Sequence, residues 1–275
     1  MTFEFWRLRF HFGAAGSLNF PPGKAGNTLR GAFGTLLRET ASAPEYTAIF
    51  EPRSGDGPSG LADPPRPFVI RAAHLDGQRI PPGAVFHFDV HLFDTQSDRR
   101  PLFIAAFTRL AEKGLGPVRA RTQLLSVDQE NIAIDLGGSP ESASRIRVQF
   151  VTPTELKGAP RPEFPVLFAR LRDGISTLRA LYGPGLLDID FRTTGERAAR
   201  VTLSRCDLAW HSAQRRSSRT GQTHPIGGFT GEAEYQAEYD GDLAEFLPYL
   251  RAGQWTGVGR QTVRGKGEIC FRVCS

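Results

Sequence analysis

Twice along the chain the same order of elements runs past: a strand, a helix, two strands, a second helix and a last strand. A repeat of that length admits few folds. In the first half Trp6, Leu8, Phe10 and Phe12 alternate with Arg7, Arg9 and His11, the period of a strand with one covered face. FPPGKAGNTLRGAFGTLLRE follows, with an apolar stripe through Leu29, Phe33, Leu36 and Leu37 and Asn27 as the expected helix cap. Residues 52–66 are turn-formers throughout and read as a mobile surface loop. PFVIRAAHL and AVFHFDVHLF read as strands joined by a turn over 76–83, PLFIAAFTRLAEKG as a helix stopped by Gly114, and VRARTQLLSV as a strand. After GGSPESAS the order restarts with the strand IRVQFVT and the helix FPVLFARLRDGISTLRALYG, ended by Gly183 and Pro184. RVTLSRCDLAW, FTGEAEYQAEYDG and GEICFRV are strands, with the helix DLAEFLPYLRAG before the last. Each unit's second helix runs into a glycine pair, Gly114 with Gly116 and Gly257 with Gly259. The pattern predicts an α+β chain of two tandem ferredoxin-like β-α-β-β-α-β domains. They span 1–136 and 145–275, joined by the linker 137–144, with the first and third strands central in each sheet.

At 275 residues and 40% hydrophobic content, such a chain buries its core without staples. No run approaches 18 apolar residues, and the first ten residues alternate instead of forming a signal-peptide core, so no membrane span and no export are expected. The three cysteines, Cys206, Cys270 and Cys274, have no CxxC spacing; a disulfide framework and a structural zinc site are disfavoured, and a cytoplasmic setting is expected. Net charge is +5, and all but four of the 34 cationic residues are arginines. Arginine forks onto phosphates and stacks on bases. A GC-rich genome produces the same bias, so position must decide.

Position points to two clusters in the second half. In GQWTGVGRQTVRGKGEI, glycines 253, 257, 259, 265 and 267 alternate with Arg260, Arg264 and Lys266. Glycine lets backbone amides approach an oxyanion and the cations neutralise it, so the segment reads as a phosphate-backbone cradle. It is neither a P-loop nor a Rossmann turn. The second cluster runs from Trp210 and His211 through Arg215, Arg216 and Arg219 to His224, between the second and third strands. His87, Asp89 and His91 share one face of a strand, but outward strand polarity is a simpler account than a metal site. No HExxH, GxSxG or Cys-His pairing supports a nucleophilic side chain. No cofactor is expected. The phenylalanines lie in phase with core faces, and GGFTGEAEY lacks the aromatic spacing of an RNA-recognition sheet.

Four stretches taken together resemble the CRISPR-associated precursor-RNA-processing endoribonucleases, the Cas-six family of the RAMP superfamily. They are GNTLRGAFGTLLRE, Gly114-Leu115-Gly116 with Arg119, RRSSRTGQTHPIGGFTG and GVGRQTVRGKGEI. The resemblance implies tandem ferredoxin-like RAMP domains, a basic cleft between them, and metal-independent cleavage within CRISPR repeat RNA. In that chemistry the RNA 2′-OH attacks the adjacent phosphate, leaving a 2′,3′-cyclic phosphate and a 5′-OH. Many relatives place a catalytic histidine in or just after the first helix, whereas residues 20–50 here contain none. The acid–base role then falls to His224, with His11 second. Lys24 and Arg30 bracket the start of the first helix as charge stabilisers beside its amides, and Tyr46 is their partner. Arg215, Arg216, Arg219, Gly257, Gly259, Arg260, Arg264, Gly265, Lys266 and Gly267 form the expected RNA-binding set. Two rivals stay open: a non-catalytic RAMP-type RNA-binding subunit of a CRISPR effector complex, favoured by the missing histidine, and an anion-binding metabolic enzyme. Expected partners are CRISPR repeat RNA and other effector subunits, with the chain a monomer or homodimer.

Overall fold

Side-chain alternation in the first strand, β1 (Thr2–Ala14), serves two cores at once. Leu8, Phe10 and Phe12 project from one face into a core shared with the first helices, while Phe3 and Phe5 project from the other into the core of the second half. The computed structural model describes the chain except 53–63, 117–118, 139–140, 157–158, 212–213, 217–222, 226, 240–242 and 275, and describes only the backbone at 214–216 and 223–225. After β1 come β2 (Leu18–Asn19), α1 (Ala25–Thr40), α2 (Ala43–Phe50), β3 (Phe68–Arg71), β4 (Arg79–Ile80) and β5 (Val85–Leu92). The first half closes with α3 (Arg100–Thr108), α4 (Leu110–Lys113) and β6 (Thr122–Asp135). The second half comprises β7 (Arg145–Thr154), α5 (Phe164–Tyr182), α6 (Phe191–Ala198), β8 (Thr202–His211), β9 (Gln214–Arg216), β10 (Thr223–Pro225), β11 (Gly228–Gln236), α7 (Leu247–Thr256) and β12 (Ile269–Cys274).

The two large sheets run β3-β5-β1-β6 and β12-β7-β11-β8, antiparallel throughout, with the first and third long strands of each half central. This is the tandem ferredoxin-like arrangement. Aromatic packing fixes the helices: Phe33 of α1 stacks on Phe103 of α3 at 4.5 Å between ring centres, and Phe168 of α5 meets Phe246 edge-on at 4.7 Å. Both glycine pairs follow helix ends with positive φ, 74° and 76° at Gly114 and Gly116, 75° and 83° at Gly257 and Gly259. No described helix is long and apolar enough to cross a membrane.

The structure departs from the sequence reading in places. α1 begins two residues before Asn27 and has no side-chain cap of its own; its Ala25 N–H donates instead to the Asp76 carboxylate, 2.8 Å away. α2 and α6 are additional helices. Ser42 and Glu45 close a capping box on α2, and Asp190 accepts from Arg192 N and Thr193 N at the start of α6. The expected helix from Asp242 begins only at Leu247. Of the loop expected over 52–66, residues 53–63 lie outside the described residues.

Candidate nucleic-acid interface

α7 ends at Thr256, and Gly257 turns the chain into the glycine-rich segment. The segment folds back on itself and on the end of β7. Val258 N donates to Gly267 O (2.8 Å), Gly267 N to Pro153 O (3.2 Å) and Arg260 N to Glu155 O (3.1 Å). A turn of 3-10 helix at Thr262–Arg264 sits between Gln261 and Gly265, both left-handed. A Cβ at Gly259 would strike the Glu155 carbonyl, and one at Gly267 the Val258 carbonyl. These glycines let the protein's own backbone approach closely. The close approach that the sequence reading reserved for a phosphate is made here by protein.

The same loop reaches into the first half. Val263 is buried in the core of α1 and β1, and a Cβ on Gly26, in the first turn of α1, would lie 2.9 Å from Arg264 O. Arg264 Nη1 donates to Asn27 Oδ1 at 3.4 Å, so Asn27 holds the loop instead of capping its helix. Lys266 is half-buried, and burial holds its ammonium below the usual lysine value. Glu155 opposes that shift, while Lys24 and Arg264 add repulsion, so the three cations and the one acid share a neighbourhood. Arg260 Nη1 contacts Glu155 Oε1 at 3.0 Å. Lys24, at the N-cap of α1, and Arg264 and Lys266, from the loop, thus gather positive charge from both halves, and Arg260 adjoins them through Glu155. The helix amides behind Lys24 are already taken by Asp76, whose carboxyl is raised by burial against the pull of the Ala25 and Lys24 amides.

The remaining candidates are placed differently. Arg30 is 9% exposed, its guanidinium 4.4 Å above the Phe50 ring. Tyr46 stacks on the same ring at 5.5 Å, and its hydroxyl accepts from Arg38 Nη2 at 3.0 Å. Both side chains thus help to pack α2 onto α1, where the sequence reading expected a charge stabiliser and its partner. His224 stands opposite Arg215 in the β9–β10 pair, a two-stranded sheet of its own. Arg219 lies outside the described residues. At the end of β8, Trp210 is 60% exposed, edge-on to Phe229 of β11. Arg119, near the first glycine pair, is exposed with φ 47°.

His11 Nε2 lies 2.9 Å from Asp128 Oδ2, a hydrogen-bond contact on the sheet face. On β5, Asp89 is held by Arg9 at 2.7 Å and Arg7 at 3.2 Å, His87 stacks on His74, and His91 is buried with Nδ1 2.9 Å from Trp255 O. Burial and the charge of Arg71 push His91 down to about 3. Among the described residues no group of three such side chains is placed to hold a metal. Glu155, Asp76, Arg71 and Glu268 escaped sequence reasoning, and Asn27 was given the wrong task, because each acts on a segment dozens of residues away.

Residues 148–269 match the family model for the CRISPR-associated endoribonuclease Cas6, and residues 3–141 match a model described as an N-terminal domain. No curated protein matches. Among solved structures, a Cas6 product complex is similar over 98% of this chain and 99% of its own, at 16% identity and a TM-score of 0.62. Thermus thermophilus Cas6 matches over 99% of both chains at 16% identity and 0.55. A chain of a partial Cas6-RT-Cas1–Cas2 complex matches over 98% of this chain and 46% of its own, at 13% identity and 0.62. The second half thus matches the CRISPR-associated endoribonuclease family Cas6, and the chain as a whole has the tandem fold of solved Cas6 structures.

Proposed function

We propose that this protein cuts CRISPR precursor RNA within its repeats without a metal ion. The 2′-OH attacks the adjacent phosphate and the 5′-oxygen leaves, giving a 2′,3′-cyclic phosphate and a 5′-OH. One observation carries the reading: the glycine loop brings Arg264 and Lys266 from the second half toward Lys24 and Asn27 at the start of α1 in the first. A phosphate lying there meets cations that offset the charge of a crowded phosphorane. Proton transfer is assigned to His224 on the hairpin, with Lys266 as second donor, since an ammonium brought down by burial releases its proton more readily. Arg215, Arg216 and Arg219 are proposed to grip the RNA backbone from the hairpin, and the glycines 257, 259, 265 and 267 to hold the cationic loop in shape.

Related structures carry product RNA in one case and belong to a Cas6-RT-Cas1–Cas2 complex in another, which supports repeat RNA and other CRISPR-associated proteins as partners here. The halves 1–136 and 145–275 are proposed as its two domains, joined by 137–144, acting in the cytoplasm as monomer or homodimer. The test is incubation with the host's repeat RNA in EDTA, alongside a substrate carrying a single 2′-deoxy residue at the cut. Site-specific cutting that the deoxy residue abolishes supports the proposal. Cutting of the deoxy substrate defeats the mechanism. Tight binding without cutting supports the non-catalytic RNA-binding subunit, which the absence of histidine in 20–50 favours.

A further inference from the structure

We infer that Arg71 is a positioning residue that holds both ends of the glycine loop in register with the first half. The inference rests on the reading of the loop as part of the cleavage site. Arg71 closes β3 and is 6% exposed. Its Nη2 donates to Trp255 O at 3.1 Å, just before the loop begins, and its Nη1 lies 4.0 Å from Glu268 Oε2, just after the loop ends. A Cβ at Gly257 would sit 2.9 Å from that same Nη2, so glycine there makes room for the guanidinium.

Trp255 O receives a second donor from the first half, His91 Nδ1 on β5 at 2.9 Å, and the His91 ring packs edge-on to the Trp255 indole. Two neighbouring strands therefore grip the last turn of α7 from below. Among the described residues Arg71 Nε and Nη1 and Glu268 Oε2 are buried without a hydrogen-bond partner. Well-packed apolar side chains commonly replace such a buried pair without loss of stability. What apolar side chains cannot supply is a fork reaching the carbonyl before the loop and the carboxylate after it. The loop's middle is tied by Val263 and by Gly26; Arg71 fixes where it starts and stops, and hence where Arg260, Arg264 and Lys266 stand.

The experiment uses the full chain with the double substitution Arg71→Met/Glu268→Gln, which removes both buried charges together. Arg71→Lys is the companion, keeping the charge but not the fork. Amide hydrogen exchange over 257–268, read without RNA, is expected to quicken at least about tenfold in the double variant while the β7 amides keep their protection. Single-turnover cleavage at saturating protein is expected to fall about ten- to hundredfold, the scale of a small misplacement, with RNA affinity changed less than about threefold. Arg71→Lys is expected to fall between. Wild-type exchange over the loop overturns the inference, and so does wild-type cleavage by a variant whose loop has loosened. Faster exchange across the whole chain in both variants also overturns it, since Arg71 would then be holding the fold. If the wild-type protein cuts no RNA, the proposed activity fails, and loop exchange still decides whether Arg71 is the clamp.

Discussion

His91 shows how far burial moves one side chain. With its native value near 3 and an unfolded value near 6.5, the folded chain binds fewer protons than the unfolded one between those limits. Stability therefore rises with pH across that window and is lost as pH falls from about 6.5 toward 3. Asp89, whose carboxyl is held low by its hydrogen bond from Arg9 and the nearby Arg7 charge against the cost of burial, adds a loss of the same sign, but only below about pH 4. His91→Asn keeps a donor for Trp255 O without titrating, so its denaturation midpoint should vary less between pH 4 and 6.5. An equally steep dependence would show that His91 is not the group responsible. For the chemistry, His224→Ala should lower single-turnover cleavage by about a hundredfold or more with RNA still bound, and Lys266→Arg should cut nearly normally. The reverse pattern would move the proton to Lys266. At this scale the sequence exposed the loop cations, because glycine and charge alternate within fifteen residues. It hid Arg71, Glu155 and Asp76, which matter only through contacts between distant segments.

Elements were more legible than their edges. Strand and helix order, the central strands and both post-helical glycine pairs follow from apolar periodicity, which the long elements repeat often enough to declare. α2 buries only Tyr46 and Ile49, too few positions to set a period, although its Ser42–Glu45 box was readable. Asn27 looked like a cap because local rules cannot see a carboxylate arriving from Asp76. The loop glycines carry the clearest element-scale prediction. Gly259→Val and Gly267→Val each force a branched side chain onto positive φ and into a carbonyl, a cost of at least about 1–3 kcal/mol in backbone strain alone. Urea midpoints should fall in both, because these glycines admit the protein's own backbone. Unchanged midpoints with weakened RNA binding would return them to the phosphate-cradle role expected from the sequence.

For the whole molecule, the proposed function makes RNA affinity an electrostatic quantity, carried by cations drawn from both halves. Arg260→Ala/Arg264→Ala should weaken binding and lower the slope of log K against log salt by about 1.4, roughly 0.7 for each single-stranded phosphate that the protein ceases to neutralise. Identical slope and affinity in the double variant would remove these cations from RNA binding. The first strand bears on modularity as much as on stability. Phe3 and Phe5 lie in the second half's core while Val263 lies in the first's, so each half completes the core of the other. Fragments cut within 137–144 should each be insoluble alone, yet regain a soluble, single-transition complex when co-expressed. Independently soluble, separately melting fragments would contradict this. Halves that exchange side chains in this way have ceased to be modules: neither can be traded or discarded without undoing the other.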